Sequence, residues 1–209
     1  MGSRTERLAP DKLERIILNA AKEFSSYGYE GASLNRILAA SGVSKGYAYY
    51  YFTDKADLFA LLVKEYWSRH VELMDFNPAE LALGEFWETL TSMYQRSSVL
   101  QLRNPWMIGF SKSLYSLPHA VKGREDVLAL MREYDAFLRT AISRGQQLGL
   151  VRTDMPIEFL MALATGIEEV FDHWSERAGA DETEEDSKEF ARLGVDLVKR
   201  LFERRDSEG

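Results

Sequence analysis

Cysteine is absent from the 209-residue chain. That excludes disulfides, thiolate zinc sites, iron–sulfur clusters and cysteine nucleophiles together. Long apolar runs are missing too: a stretch such as Leu58 to Val63 is far below the roughly 18 residues that a membrane span needs. The opening residues MGSRTERLAP lack the apolar core of a secretory signal. Five prolines and fourteen glycines are too few for a collagen-like or low-complexity chain, and 45% hydrophobic with 28% charged residues argues against disorder. No serine sits in a nucleophile elbow and there is no phosphate loop. Only three histidines occur, His70, His119 and His173. Glu169 and His173 are four apart with Asp172 adjacent, a spacing that suits a metal pair, but the sequence places no further ligand. The expectation is therefore no catalytic residue, no cofactor and no metal, in a soluble cytoplasmic protein long enough for one large or two small domains.

Net charge is -7, which by itself speaks against a nucleic-acid partner. Its distribution is uneven. Residues 1–55 carry eight basic side chains against six acidic ones, leaving 18 and 27 in the rest, so the head is +2 and the body -9. Screening confines each field to about 10 Å at 0.1 M salt, so an acidic body leaves a local basic face free to meet phosphate.

Apolar periodicity reads as helix after helix, with no convincing alternation of the kind strands show. Leu13, Ile16, Ile17, Ala20, Ala21 and Phe24 share one helical face, with Asp11 and Glu14 as a capping box and Gly28 as the stop. A short helix follows from Ser33, an N-cap, to Ala40. Ser41-Gly42-Val43 interrupts it, Ser44 opens another short helix through Phe52, and Thr53 or Asp54 caps a longer one to about Met74. Asn77-Pro78-Ala79-Glu80 predicts a helix start and a helix over roughly 78–100. Further helices are expected at 105–116, at 124–147 ended by Gly149, from Pro156 to Trp174, and from a Thr183/Asp186 capping box to near Arg205. Pro118–Gly123 reads as a break and a candidate gate. The fold class is all-α, with about nine helices.

Two short helices around a glycine turn, Ser33–Ala40 and Ser44–Phe52, form the pattern of a helix-turn-helix. Gly42 supplies the positive φ of the turn, Val43 an apolar plug, and Ala48 with Phe52 a buried face. Lys45 and Tyr49 form one outward row; Tyr47, Tyr50 and Tyr51 form another. A cation and several phenolic hydroxyls on one exposed helix suit phosphate and base-edge contact. A small amphipathic hairpin inside a larger helical core fits the same residues.

The run from Ile16 to Leu58 resembles the DNA-binding domain of TetR-type transcriptional regulators. The resemblance rests on Ile17, Ala20-Ala21, Phe24, Gly28-Tyr29, Ala32-Ser33, Ile37, Gly42-Val43-Ser44-Lys45-Gly46, Tyr49-Tyr50-Tyr51-Phe52, Lys55 and Leu58. It implies a three-helix helix-turn-helix head, residues 1–55 continuing into a linking helix at 54–74, on a helical effector-binding and dimerisation body, residues 56–209. It also implies that Ser33 offers its hydroxyl and backbone N–H to a phosphate. Lys45, Tyr49, Tyr50 and Lys55 match positions that touch phosphates or bases, Gly46 lets the helix approach the groove, and Ser44 and Tyr47 complete the DNA-binding set. Tyr47 stands where a smaller or polar residue is common, and Ala48 where a larger aliphatic one packs. Arg4 and Arg7 suit either a minor-groove arm or a solvated tail.

In the body, Leu160, Leu163, Ala164, Ile167, Val170, Phe171 and Trp174 form one wide apolar face. Phe190, Leu193, Gly194, Leu197, Val198, Leu201 and Phe202 form another. Small Ala164, Gly166 and Gly194 allow close helix approach. By resemblance these two helices pair with their copies in a twofold dimer; an intrachain core is the other reading. The aromatic surplus suits a pocket for an apolar or planar ligand, and Trp87, Tyr94, Trp106, Phe110, Tyr134, Phe137, Phe171 and Trp174 are its candidate lining, although such residues also build plain core. The implied function is a repressor that binds a palindromic double-stranded operator as a homodimer, away from any membrane, and is released by a small apolar or aromatic effector. The alternative is a helical dimeric ligand-binding or adaptor protein of the same fold without site-specific DNA binding, which Tyr47 and Ala48 would favour.

Overall fold

In the computed structural model, residues 10–49, 52–73, 75–115, 117–178 and 182–203 are described, and every regular element among them is helical. The chain divides into two compact units: residues 1–68 with 105–129, and residues 69–104 with 130–209. The first takes in more chain than the helix-turn-helix alone.

The first unit opens with α1, Pro10–Gly31. Pro10 and Asp11 already lie within it, so Asp11 is not the residue preceding the helix. A proline is tolerated there because its missing N–H belongs to the unpaired first turn. Gly28, at φ 64 and ψ 175, breaks the helical path where the sequence places the stop. Next come α2, Leu34–Ser41, and α3, Lys45–Ala48. α3 is shorter than the expected Ser44–Phe52, although the Phe52 N–H still donates to the Ala48 carbonyl at 3.2 Å. The fourth helix, α4, spans Lys55–Val71. Asp54 caps it, its carboxylate accepting the Asp57 N–H at 2.8 Å, while the Asp57 carboxylate accepts the Thr53 N–H at 2.9 Å.

Two more helices complete the unit's core. They are α6, Pro105–Tyr115, and the single turn α7, His119–Lys122, which occupies the stretch expected to be a break and is anchored by the buried Val121. α6 lies tightly on α1: a Cβ at Gly109 would fall 2.7 Å from the Ser25 hydroxyl. Rings fill the space between helices. Phe59 stands edge-on to Phe24 at 4.9 Å and meets Phe110 at 5.2 Å, and Tyr66 meets Trp106 at 6.4 Å.

The second unit is built from α5, Phe86–Arg103, most of α8, Glu125–Gln147, and the pair α9, Ile157–Ala178, and α10, Glu184–Phe202. The helix expected over 78–100 is split. Asn77 caps Pro78–Glu80 as expected, but only one 3-10 turn follows before Leu81 leaves the helical path at ψ 129. Leu81 is drawn into a core with Phe86, Ile142, Val151, Leu160, Ala164 and Phe202, and its carbonyl accepts from Arg144 Nε at 2.8 Å. Thr183 and Asp186 form the capping box that the sequence predicts. α10 is tied along α5 by the Ser98 and Ser187 hydroxyls and by the pair between Arg103 and Glu184 at 2.7 Å. Among the described residues no helix is long and apolar enough to cross a membrane, and no cluster of three or more histidine or carboxylate side chains is placed to hold a metal.

Candidate nucleic-acid interface and ligand cavity

In the first unit, the turn between α2 and α3 is closed by two nested backbone bonds. Gly42 N–H donates to Ala39 and Val43 N–H to Leu38, with Gly42 left-handed at φ 64 and ψ 31. This Schellman arrangement satisfies the last carbonyls of α2 and needs a residue without a Cβ at its centre. Val43 beneath it is buried, as are Ile37, Leu38, Ala48 and Phe52. With that face turned inward, Ser44, Lys45, Gly46 and Tyr49 are exposed, and Tyr49 keeps 42% of its surface. The row of Lys45 and Tyr49 therefore stands outward together. Tyr50 and Tyr51 lie outside the described residues, as do Arg4, Arg7 and the side chain of Tyr47.

Two residues expected to meet phosphate are already engaged. Ser33 caps α2, its hydroxyl accepting the Arg36 N–H at 3.4 Å. Its own backbone N–H donates to Glu23 at 2.9 Å, so of the two donors that the resemblance would offer a phosphate, the hydroxyl proton remains. Burial raises the Glu23 pKa, but the Arg36 guanidinium and the Ser33 N–H outweigh it and hold the carboxyl below its usual value. The Lys55 ammonium donates to the carbonyls of Glu30 at 3.1 Å and Ala32 at 3.3 Å, and sits 4.6 Å from the centre of the Tyr29 ring. An ammonium has three donors; two finish the end of α1, leaving one for a phosphate.

In the same unit a charged cluster ties α4 to the start of α8. Arg124 bonds Asp57 at 2.6 Å and Asp126 at 3.2 Å, and Lys64 bonds Asp126 at 2.8 Å. Asp57 is held below the usual carboxylate range by the Thr53 hydroxyl, against a smaller opposing effect of burial, with Arg124 adding to the fall. For Asp126, burial pushes upward, but Arg124 and Lys64 together bring it to about 2.

The second unit contains a cavity of about 60 Å3 between α5, α8, α9 and α10. Trp87, Tyr94 and Phe137 line it, with Phe86, Leu90, Met93 and Val198 among the further walls. Tyr134 is one step removed: it and Tyr94 each donate a hydroxyl to one oxygen of Glu168. The remaining candidates lie elsewhere. Trp106 and Phe110 are buried in the first unit, where α6 packs on α1. Phe171 packs against Phe190 at 4.7 Å and against Gly194, where a Cβ would stand 3.0 Å from its ring. Trp174 is 58% exposed. Gly194 thus serves an approach within the chain, whereas a Cβ on Gly166 would meet nothing within 4 Å.

Sequence reasoning missed Glu168. Burial raises its pKa above the ordinary 4.5, an effect the two tyrosine hydroxyls oppose and Asp172 reinforces. Burial and the neighbouring carboxylate also push the Tyr134 hydroxyl well above its usual value. The signal was present: Leu160, Ala164, Glu168 and Phe171 follow helical spacing, which sets an acid within an apolar stripe.

Residues 16–62 match the profile of bacterial regulatory proteins of the tetR family. The HTH-type transcriptional repressor AcnR of Corynebacterium glutamicum is 29% identical over 193 residues, 92% of this chain and 93% of that protein. AcnR of Corynebacterium efficiens is 30% identical over 147 residues, 70% of this chain and 72% of its own length. Among solved structures, the transcriptional regulator FadR of Bacillus subtilis in complex with stearoyl-CoA superimposes with a TM-score of 0.69 at 18% identity. That match covers 88% of this chain and 96% of FadR.

Proposed function

The chain belongs to the tetR family of bacterial regulatory proteins and is a DNA-binding transcriptional repressor, not an enzyme; from that premise we propose that it binds a palindromic operator as a homodimer and is released by a small effector held in the second unit. The observation that carries the DNA-facing assignment is the exposed row of Lys45 and Tyr49 on a helix whose other face, Ala48 with Phe52, is buried. Ser33, Ser44, Gly46 and Lys55 flank that row, and Tyr47 and Tyr50 are assigned to it from the sequence. Two such heads on a twofold axis would meet half-sites one helical turn or a multiple apart.

Dimerisation is supported by the surfaces of α9 and α10. Val170 and Trp174 are 65% and 58% exposed, and Leu193, Leu197 and Leu201 repeat every fourth residue along α10, all exposed. Large apolar side chains gathered on adjacent helices mark an association face, and Gly166 leaves room for a second helix. The effector role is supported by the cavity and by analogy with the ligand-bound FadR. A ligand changes DNA affinity only by binding two conformations unequally. The site of action is the cytoplasm, where the DNA is. The adaptor reading loses ground because Ala48 and Leu38 are both buried, so the small residue at 48 sits in a packed head.

Selection from a randomised duplex pool at about 0.1 M salt, a condition that still permits phosphate contacts, tests this reading. An enriched palindrome is expected. A pool that stays random with folded protein overturns it.

A further inference from the structure

We propose that the cavity between α5, α8, α9 and α10 takes an uncharged, largely apolar molecule whose single hydrogen-bond acceptor is met by the indole N–H of Trp87. This names the ligand class of the effector site and rests on the effector reading above. Two features of the walls select the class.

The first is a donor without an acceptor. Trp87 is among the residues lining the cavity, and its Nε1 has no hydrogen-bond partner among the described residues and is shielded from the cavity's present space, so a ligand meets it as the walls part. A buried N–H left unmet is costly, because water has been lost and nothing has replaced it. The surrounding Phe86, Leu90, Phe137 and Val198 side chains have no oxygen or nitrogen to offer. A ligand carbonyl, ether or ring nitrogen would supply what these walls lack.

The second feature is the exclusion of charge. Tyr94 is the other polar side chain on the wall, and its hydroxyl is donated to Glu168, whose second oxygen takes the Tyr134 hydroxyl. Asp172 acts on Glu168 from one turn along α9. None of the lining residues is cationic. A carboxylate or phosphate in the cavity would face no counter-ion and would lie near an acid. A cation would have to reach past Tyr94 to find its counter-charge. Desolvating either ion inside an apolar enclosure costs far more than one neutral hydrogen bond returns. At about 60 Å3 the space holds only a few atoms, well below the roughly 300 Å3 of an ordinary ligand site. A larger occupant must part the helices, and this is how occupancy would alter the unit.

Four matched probes separate the possibilities: acetophenone (neutral acceptor), ethylbenzene (no acceptor), benzoate (anion) and benzylamine (cation). Titrations of the full chain would follow the indole 1H–15N resonance of Trp87, identified by its absence in Trp87→Phe. Acetophenone is expected to move that resonance downfield while ethylbenzene does not. Acetophenone affinity should fall roughly three- to tenfold in Trp87→Phe, the loss of about one hydrogen bond, with ethylbenzene affinity unchanged. Should Trp87→Phe not fold, through-bond assignment leaves the shift on the unmutated protein as the readout. Tighter binding of benzoate or benzylamine, an unmoved indole resonance with acetophenone bound, or no binding of any probe overturns the proposal. Release of the selected operator, measured separately, tests the effector reading. Acetophenone engaged at Trp87 with the DNA complex intact overturns that reading and supports the ligand class. Release by another compound, with no probe at Trp87, does the reverse.

Discussion

The two units settle their withdrawn carboxyl groups in opposite ways. In the first, Asp57 and Asp126 are shared between Arg124 and Lys64, so each charge has a counter-charge within 3.2 Å. In the second, Glu168 has two neutral hydroxyls and, among the described residues, no cation bonded to it. Their cores differ too: the first is filled by mutually contacting rings around Phe59, whereas the second holds a cavity walled mostly by apolar side chains. A surface that must match DNA gains from a firm support. Under the proposed effector role, walls left incompletely satisfied would let a ligand change the second unit.

The contrast can be broken first by cutting into the two cores. Phe59→Ala should cost about 3–5 kcal/mol, the usual penalty for a large ring removed from a packed site, measured by urea unfolding. Phe137→Ala, at a half-buried residue on the cavity wall, should cost less than about half of that, because fewer contacts are lost there. Equal costs would erase the distinction between a filled and an open core.

A smaller effect is expected from the ion cluster. Arg124→Ala leaves Asp57 without its cation and Asp126 with Lys64 alone. The groups are partly exposed, so solvent screening limits the loss to about 1 kcal/mol, read as a lower urea midpoint. No change in that midpoint would mean that the cluster supports nothing.

The smallest effect distinguishes the units by pH. The pKa of Asp126 is lowered to about 2, so its contribution is present above the ordinary 3.8 and is lost as pH falls toward 2. Glu168 is raised, so its contribution is full below the ordinary 4.5 and is lost as pH rises through the folded value. Asp126→Asn should therefore flatten the acid limb of the stability profile, and Glu168→Gln the limb above 4.5. A Glu168→Gln profile identical to that of the unmutated chain would remove the proposed asymmetry.

The head was legible because its determinants are local. The turn from Leu38 to Val43 needs one glycine and one apolar residue in six positions, and the Thr183/Asp186 box needs two residues three apart. Where partners are distant, legibility ended. Asn77-Pro78 marks a start, but nothing nearby announces that Leu81 will leave the helix for a core and a bond to Arg144, 63 residues on. The bonds of Glu168 span 74 and 34 residues, so an acid in an apolar stripe was visible while its tyrosine partners were not. Trp106 and Phe110 illustrate the converse error. Composition cannot say which helix an aromatic residue will face, and α6 turns these two into the core of the first unit.

The division of labour itself is tested most directly by the salt dependence of operator affinity. Lys45→Ala should flatten the plot of log affinity against log salt by about two for a dimer, one phosphate contact from each head. Arg139→Ala, an exposed cation of the second unit paired with Glu158, should leave the slope unchanged. A slope unaltered by Lys45→Ala, or one that shifts with Arg139→Ala, would contradict the assignment of DNA contact to the head.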